Sequence, residues 1–170
     1  MIRKPLVIFI ILLVCSLLET ALLSNVVFLP VVPDLLLLVV LYISVQNGSL
    51  TGEATGFVSG LLLDFLTAAP VGLNCLLRTL LGFFAGLFHE VLNVSKIVIP
   101  ALLALIDTIA KAIIIGFISF FFPNGVITYD LFSYAFGMEL LFNVILAPFV
   151  FAFLSLFSSW LSDNKEISRG

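Results

Sequence analysis

Seven ionisable residues of this 170-residue chain lie inside or at the ends of long apolar stretches, where charge is costly. They are Glu19, Asp34, Asp64, Arg78, Asp107, Lys111 and Glu139. Ionisable groups in such stretches usually pair with one another, or they line a path for an ion or a substrate. The sequence therefore offers two kinds of chemistry, which are structural ion pairing and the binding of a ligand or ion.

Asp64 and Arg78 lie on either side of a short turn at residues 68–70. Asp64 is near the outer end of one predicted helix, and Arg78 is about two turns into the next, so the two side chains approach a similar depth. We predict that they form an interhelical ion pair that staples the bundle. The alternative is a ligand-binding or partner-docking site at the outer face.

Asp107 and Lys111 are four residues apart in one apolar segment, with the acid first. This spacing predicts a pair on one helical face. A proton or ion relay is the alternative, but it normally needs further titratable groups in line. Whether Glu19 and Glu139 are unpaired or contact Lys111 stays open at this point.

Signatures of catalysis and metal binding are missing from the sequence. His89 is the single histidine, and Cys15 and Cys75 are far apart in apolar runs. Neither a nucleophile elbow, a phosphate-binding loop, paired catalytic carboxylates nor a metal-ligand cluster occurs. We therefore predict no catalytic residue, no metal, no cofactor and no enzymatic activity.

The composition predicts a membrane protein. Hydrophobic residues make up 62% of the chain and charged residues only 10%, with 18 phenylalanines and a mean hydropathy of +1.33. Such a chain has too little polar surface for a soluble domain but suits a bilayer. Because no basic cluster occurs, a nucleic-acid partner is excluded, and membrane lipid is the expected surrounding.

The apolar segments predict an all-α membrane protein, a six-transmembrane-helix bundle in a single domain over residues 1–170. The expected helices cover about 5–24, 27–45, 52–67, 71–88, 97–122 and 131–161. Asp34 stands where an N-cap would begin the leucine-rich run of the second helix. The excess length of the sixth helix is consistent with tilt or with a bend at Pro148.

Two sets of glycines are spaced for close helix packing. Gly52, Gly56 and Gly60 recur every four residues in the least hydrophobic segment, and Gly82 and Gly86 follow the same spacing in the next. Glycines at this spacing form notches on one helical face that let a neighbouring backbone approach. We predict that helices three and four form a closely packed hairpin, with these faces serving internal packing or a partner interface.

The basic residues outside the helices predict the orientation. Arg3, Lys4, Lys96, Lys165 and Arg169 all fall on one side of six alternating spans. Since positive residues concentrate in cytoplasmic loops, that side is predicted to be the cytoplasm, with both termini inside.

Residues 33–86 resemble the family of the bacterial rod shape-determining protein MreD. The similar features are a proline before a leucine-rich run that ends in an aromatic residue, and a short glycine-containing turn. A Gly-x-x-x-Gly-Phe-x-x-Gly-Leu segment that closes on Asp64 and a turn into Val71-Gly72-Leu73 follow. These features cover about a third of the chain.

The resemblance implies a small multi-pass protein of the bacterial cytoplasmic membrane, within the machinery for lateral wall elongation. It implies a fold similar to the substrate-binding (S) subunits of energy-coupling-factor transporters, and a non-enzymatic scaffold that acts by contact. The expected partner is the single-span protein MreC and, indirectly, the elongation transpeptidase and the RodA glycosyltransferase, which make peptidoglycan. A homodimer is left open.

A substrate-binding subunit of such a vitamin transporter is the alternative on a similar fold. Those subunits resemble one another in an Ala-x-x-x-Ala stripe on helix one, where this chain offers only Ser16 and Thr20 at that spacing. The predicted outer loops at 25–33, 68–70 and 123–130 are short and mostly apolar, which disfavours a site for a polar vitamin. We therefore expect the scaffold.

Overall fold

The computed structural model describes residues 3–22, 31–67, 70–89, 97–122 and 133–161, and every regular element in these ranges is helical. The elements are α1 (Arg3–Leu17, continued by a π-helical turn over Leu18–Leu22), α2 (Leu35–Asn47), α3 (Ser49–Leu66), α4 (Leu73–Gly86), α5 (Val98–Phe121), α6 (Tyr134–Ser155) and the short α7 (Ser158–Leu161). The predicted all-α bundle of six principal helices is confirmed.

Among the residues that the structure describes, three helical segments are long and apolar enough to cross a membrane by themselves. They are Lys4–Ala21, Val98–Phe121 and Tyr134–Ser155. At 1.5 Å per residue the 13 residues of α2 extend about 20 Å, which is less than the hydrocarbon core of about 30 Å. The shorter helices therefore depend on the longer ones to surround them within the bundle.

Helix α2 is the centre of the bundle. Every residue from Leu36 to Val45 is buried, and the helix packs against α1, α3, α4, α5 and α6. A helix that is hydrophobic on nearly all sides can lie in a protein core or face lipid, and here the contacts with five other helices place α2 in the core. Its surroundings are built from the other helices.

The second helix begins later than its predicted start at residue 27, within the part that the structure describes. Residues 31–34 are non-helical, and the helix starts at Leu35 after Pro33 and the N-cap Asp34. Proline disfavours helical geometry in the residue before it, and Asp34 supplies the cap that opens the helix. The cap position agrees with the sequence-based expectation.

The last predicted helix is divided in two. Helix α6 carries Pro148 in its interior and ends at Ser155, and a turn over residues 156–157 separates it from α7.

The predicted orientation rests partly on Lys96, Lys165 and Arg169, which lie outside the described residues, as do most of the predicted outer loops.

Candidate functional site

A buried polar cluster surrounds the start of α2, and Asp34 is its central residue. The Asp34 Oδ1 atom accepts a 3.0 Å hydrogen bond from the backbone N–H of Leu37, and Glu19 Oε2 accepts one of 2.9 Å from Leu36. The first backbone N–H groups of a helix have no partner within the helix, and the helix dipole favours negative charge there. Two carboxylates from different helices thus satisfy the beginning of α2.

The same Asp34 carboxylate forms two ion pairs. Its Oδ1 lies 2.6 Å from Arg78 Nη2 on α4, and its Oδ2 lies 2.7 Å from Lys111 Nζ on α5. The Arg78 and Asp34 side chains are only 3% and 7% exposed. Charges held away from water in this way require close partners, and each of these three groups has one.

Lys111 extends the cluster to α6, because its Nζ also lies 2.7 Å from Glu139 Oε1. The sequence left open whether Glu19 or Glu139 contacts Lys111. Glu139 contacts Lys111, whereas the described contact of Glu19 is with the backbone of α2.

A neutral chain of hydrogen bonds completes the site. The backbone N–H of Asp34 donates to Asn143 Oδ1 at 2.9 Å, and Asn143 Nδ2 donates to Thr108 Oγ1 at 3.1 Å. Asn143 is fully buried and Thr108 nearly so. The amide therefore orients the residue that caps α2, and it joins α6 to both α2 and α5.

The predicted Asp64–Arg78 pair is not formed. Asp64 instead accepts hydrogen bonds from the backbone N–H groups of Gly72, Asn74 and Cys75, at 2.8, 3.1 and 3.2 Å, and from the Asn74 side chain at 3.0 Å. Gly72, with φ of +95°, turns the chain so that these N–H groups converge on the carboxylate. The carboxylate thereby accepts hydrogen bonds from backbone N–H groups that have no partner within α4. Arg78 pairs with Asp34 deeper in the bundle.

The predicted Asp107–Lys111 pair is also not formed. Lys111 turns to Asp34 and Glu139, and the Asp107 side chain makes no hydrogen bond or ion pair with any described residue. Asp107 nevertheless interacts electrostatically with Asp34, Arg78 and Lys111 across the cluster. Two carboxylates from other helices hold the lysine more completely than one on its own helix does.

The predicted glycines line the contact between α3 and α4, which is the most extensive helix–helix contact in the bundle. A Cβ atom added to Gly56 would overlap the carbonyl oxygen of Arg78, and one on Gly60 would overlap the backbone of Asn74 and Cys75. Gly52 and Gly82 face each other, and Gly86 faces the backbone of Ser49. The two glycine faces cover one another, so this contact lies inside the chain.

Three features of the cluster were not anticipated from the sequence. Asp34 was expected as a cap and as one of seven ionisable residues in apolar stretches, but its partners Arg78 and Lys111 were not predicted, and Asn143 and Thr108 were not singled out. Polar side chains within apolar helices form interhelical hydrogen bonds, so the position of Asn143 in the middle of α6 was the available signal. The position of Asn143 in the sequence does not indicate which helix its side chain contacts.

The cluster combines acidic and basic side chains. It holds four carboxyl groups, two cationic groups and no cysteine or histidine. No group of three or more His, Cys, Asp or Glu side chains in the described ranges is arranged to hold a metal ion. The network connects α1, α2, α4, α5 and α6 through buried side chains.

A large groove lies on the outside of the bundle, between α1 and the α6–α7 segment. Its volume is about 920 Å³, and its floor is formed by Leu35 and Val39 of α2. The lining side chains are aliphatic and aromatic, with Cys15 and Trp160 the most polar of them. Such a surface suits lipid chains or an apolar helix and offers no group to orient a polar ligand.

The comparison with known families decides where this bundle belongs. Residues 2–157 match the family model of the rod shape-determining protein MreD. The chain belongs to the MreD family. No curated protein and no solved structure matches it.

Membership of the MreD family makes this chain a rod shape-determining membrane protein, and the resemblance stated from residues 33–86 extends over nearly the whole chain. The family does not support the transporter-subunit alternative. The predicted similarity in fold to those subunits remains a prediction. Within an MreD-family protein, the buried cluster around Asp34 is the candidate functional site.

Proposed function

We propose that this MreD-family chain is a non-enzymatic membrane scaffold of the cell-elongation machinery, which binds MreC and supports lateral peptidoglycan synthesis. The elongation transpeptidase and RodA are its indirect partners. The observation that carries the proposal is the family match over residues 2–157.

The buried network supports a scaffold role. Its charged side chains other than Asp107 contact one another or a helix start, and they hold five helices together. Interfaces that position other proteins require surfaces that keep their shape, which ion pairs between helices favour. The outer surface is aliphatic and aromatic, with residues such as Phe120, Phe149 and Phe153 largely exposed, so partners in the membrane would meet apolar side chains.

We further propose that the chain lies in the bacterial cytoplasmic membrane as a multi-pass protein with both termini in the cytoplasm. The predicted placement of Arg3, Lys4, Lys96, Lys165 and Arg169 on one side of six alternating spans supports this proposal. Fusions of each terminus to a reporter that is active only on the external side of the membrane test it. We expect no signal from either fusion, and a signal would mean that the terminus is external.

Co-purification from the native membrane tests the scaffold proposal. Tagged full-length chain is isolated in mild detergent, and its partners are identified by mass spectrometry. We expect MreC, and we expect an MreC whose membrane span is replaced by an unrelated span to be recovered less well. Recovery of transporter ATPases without any wall-synthesis protein would overturn the proposal.

A second, independent readout is cell shape. Depletion of the chain in its own cells should turn rods into rounded cells, and the wild-type chain supplied in trans should restore them. Rods that keep their width and length after depletion would contradict the proposed role.

A further inference from the structure

Asp107 is a buried carboxyl group without a partner among the described residues. It is 8% exposed, and its side chain makes no hydrogen bond or ion pair there, although Lys111 lies one turn further along α5. Asp107 is the tenth residue of the 24-residue α5, about 14 Å from the start of the helix. An ionisable group at such a depth is costly unless something pairs with it.

Asp107 lines a cleft between α2, α4 and α5, and it is the one charged residue of the lining. The cleft has a volume of about 90 Å³. Its other lining residues are apolar, and they are Leu41, Leu81, Phe84, Ala85, Phe88, Leu103, Ile106 and Ala110. Because Phe84, Phe88 and Ile106 are about half exposed, the cleft opens on the outer surface of the bundle, which faces lipid.

The size and lining of the cleft exclude several occupants. A small-molecule pocket usually needs about 300 Å³ or more, which this cleft does not provide. A buried water needs two to four polar partners, and a divalent cation needs several oxygen ligands, whereas the cleft offers one carboxyl group. A long aliphatic side chain that ends in a positive charge fits both the apolar walls and the single acid.

Charge balance also points to a cation. Within the described part of the chain, the carboxyl groups of Glu19, Asp34, Asp107 and Glu139 are accompanied by only two cations, Arg78 and Lys111, both of which contact Asp34. The sequence places no other Lys or Arg within the six helical segments, apart from those at the very start of α1. A second copy of this chain therefore has no spare cation at this depth, and the occupant must come from a different protein.

We propose that this cleft receives a lysine side chain from a membrane-spanning helix of another protein. The aliphatic stem packs between Phe84, Phe88 and Ile106, and the ammonium group pairs with the Asp107 carboxylate. A lysine near the middle of a single span is itself costly in lipid, so both partners gain from the contact. The inference specifies the side-chain chemistry of a partner and does not depend on that partner being MreC.

Synthetic helices in lipid vesicles test the proposal with the full chain. The probe is a Leu/Ala peptide of about 20 residues with a central lysine, and its control has leucine at that position. Binding is measured by energy transfer between a labelled peptide and the labelled protein. We expect the lysine peptide to bind at least tenfold more tightly than the leucine peptide.

Three variants locate the effect. Asp107→Asn should abolish the preference for lysine, and Glu53→Gln, which makes the same change at an exposed acid on α3, should keep it. Ala110→Phe fills the cleft from a half-buried position and leaves the carboxylate in place, so it should also abolish the preference. Equal binding of the two peptides, or a lysine preference that survives Asp107→Asn or Ala110→Phe, would overturn the proposal.

Discussion

Asp34 Oδ1 accepts a 2.6 Å hydrogen bond from Arg78 Nη2, although the two residues are 44 positions apart in the sequence. The bond joins the start of α2 to α4, and the second oxygen of the same carboxylate joins it to Lys111 of α5. Burying an ion pair gains little over apolar packing, but removing one member leaves an uncompensated charge. The stability of the bundle should therefore depend strongly on each member of this pair.

Asp34→Asn should destabilise the chain by about 3–5 kcal/mol, because Arg78 and Lys111 would keep their charges and lose a shared partner. Asparagine caps helices as well as aspartate does, so the change isolates the charge from the cap. The free energy of unfolding, measured by denaturant titration in mixed micelles, gives the result. The matched control Glu53→Gln removes an exposed charge and should change that free energy by less than about 0.5 kcal/mol.

A pair of double-mutant cycles should distinguish the observed ion pair from the one expected from sequence. Asp34→Asn combined with Arg78→Gln should show a coupling energy within the range of about 0.5–3 kcal/mol found for contacting residues. Asp64→Asn combined with Arg78→Gln should be additive within about 0.5 kcal/mol. A large coupling in the second cycle and none in the first would restore the Asp64–Arg78 pair.

Gly56→Ala should destabilise the hairpin of α3 and α4, since its Cβ would overlap the carbonyl oxygen of Arg78. Overpacking at such a contact typically costs about 1–3 kcal/mol. Gly116→Ala is the matched control, because a Cβ at that position on α5 meets nothing within 4 Å. It should be neutral or stabilising by up to about 1 kcal/mol, as expected from helix propensity. Equal effects of the two changes in thermal unfolding would argue against a close contact at Gly56.

Asp64→Ala should loosen the start of α4, because it removes the acceptor for the N–H groups of Gly72, Asn74 and Cys75. Each buried donor left unsatisfied costs about 1–3 kcal/mol. Hydrogen exchange resolved to single amides should accelerate at these three positions. Exchange at Leu37, which Asp34 caps, serves as the internal reference and should not change. Unchanged exchange at residues 72–75 would contradict the capping role.

The sequence alone determined that the chain is a membrane protein, which segments are helical, and that α3 and α4 pack closely. Unbroken apolar runs exclude a soluble domain and predict six helical segments, since both features follow from local composition and spacing. Asp34 could be recognised as a cap because capping involves residues only two or three positions away. The glycines at 52, 56 and 60 predicted close approach because a four-residue repeat places them on one helical face.

The tertiary structure alone decided how the charges pair. Asp64 and Arg78 are neighbours in the hairpin, and Asp107 and Lys111 are neighbours on one helix, so sequence proximity favoured both pairs. Asp64 instead accepts hydrogen bonds from the start of α4. Arg78 and Lys111 pair with Asp34 and Glu139, which lie on helices brought together only by packing around α2. Spacing along a chain specifies which face a charge occupies, whereas the packing of several helices specifies what that face meets.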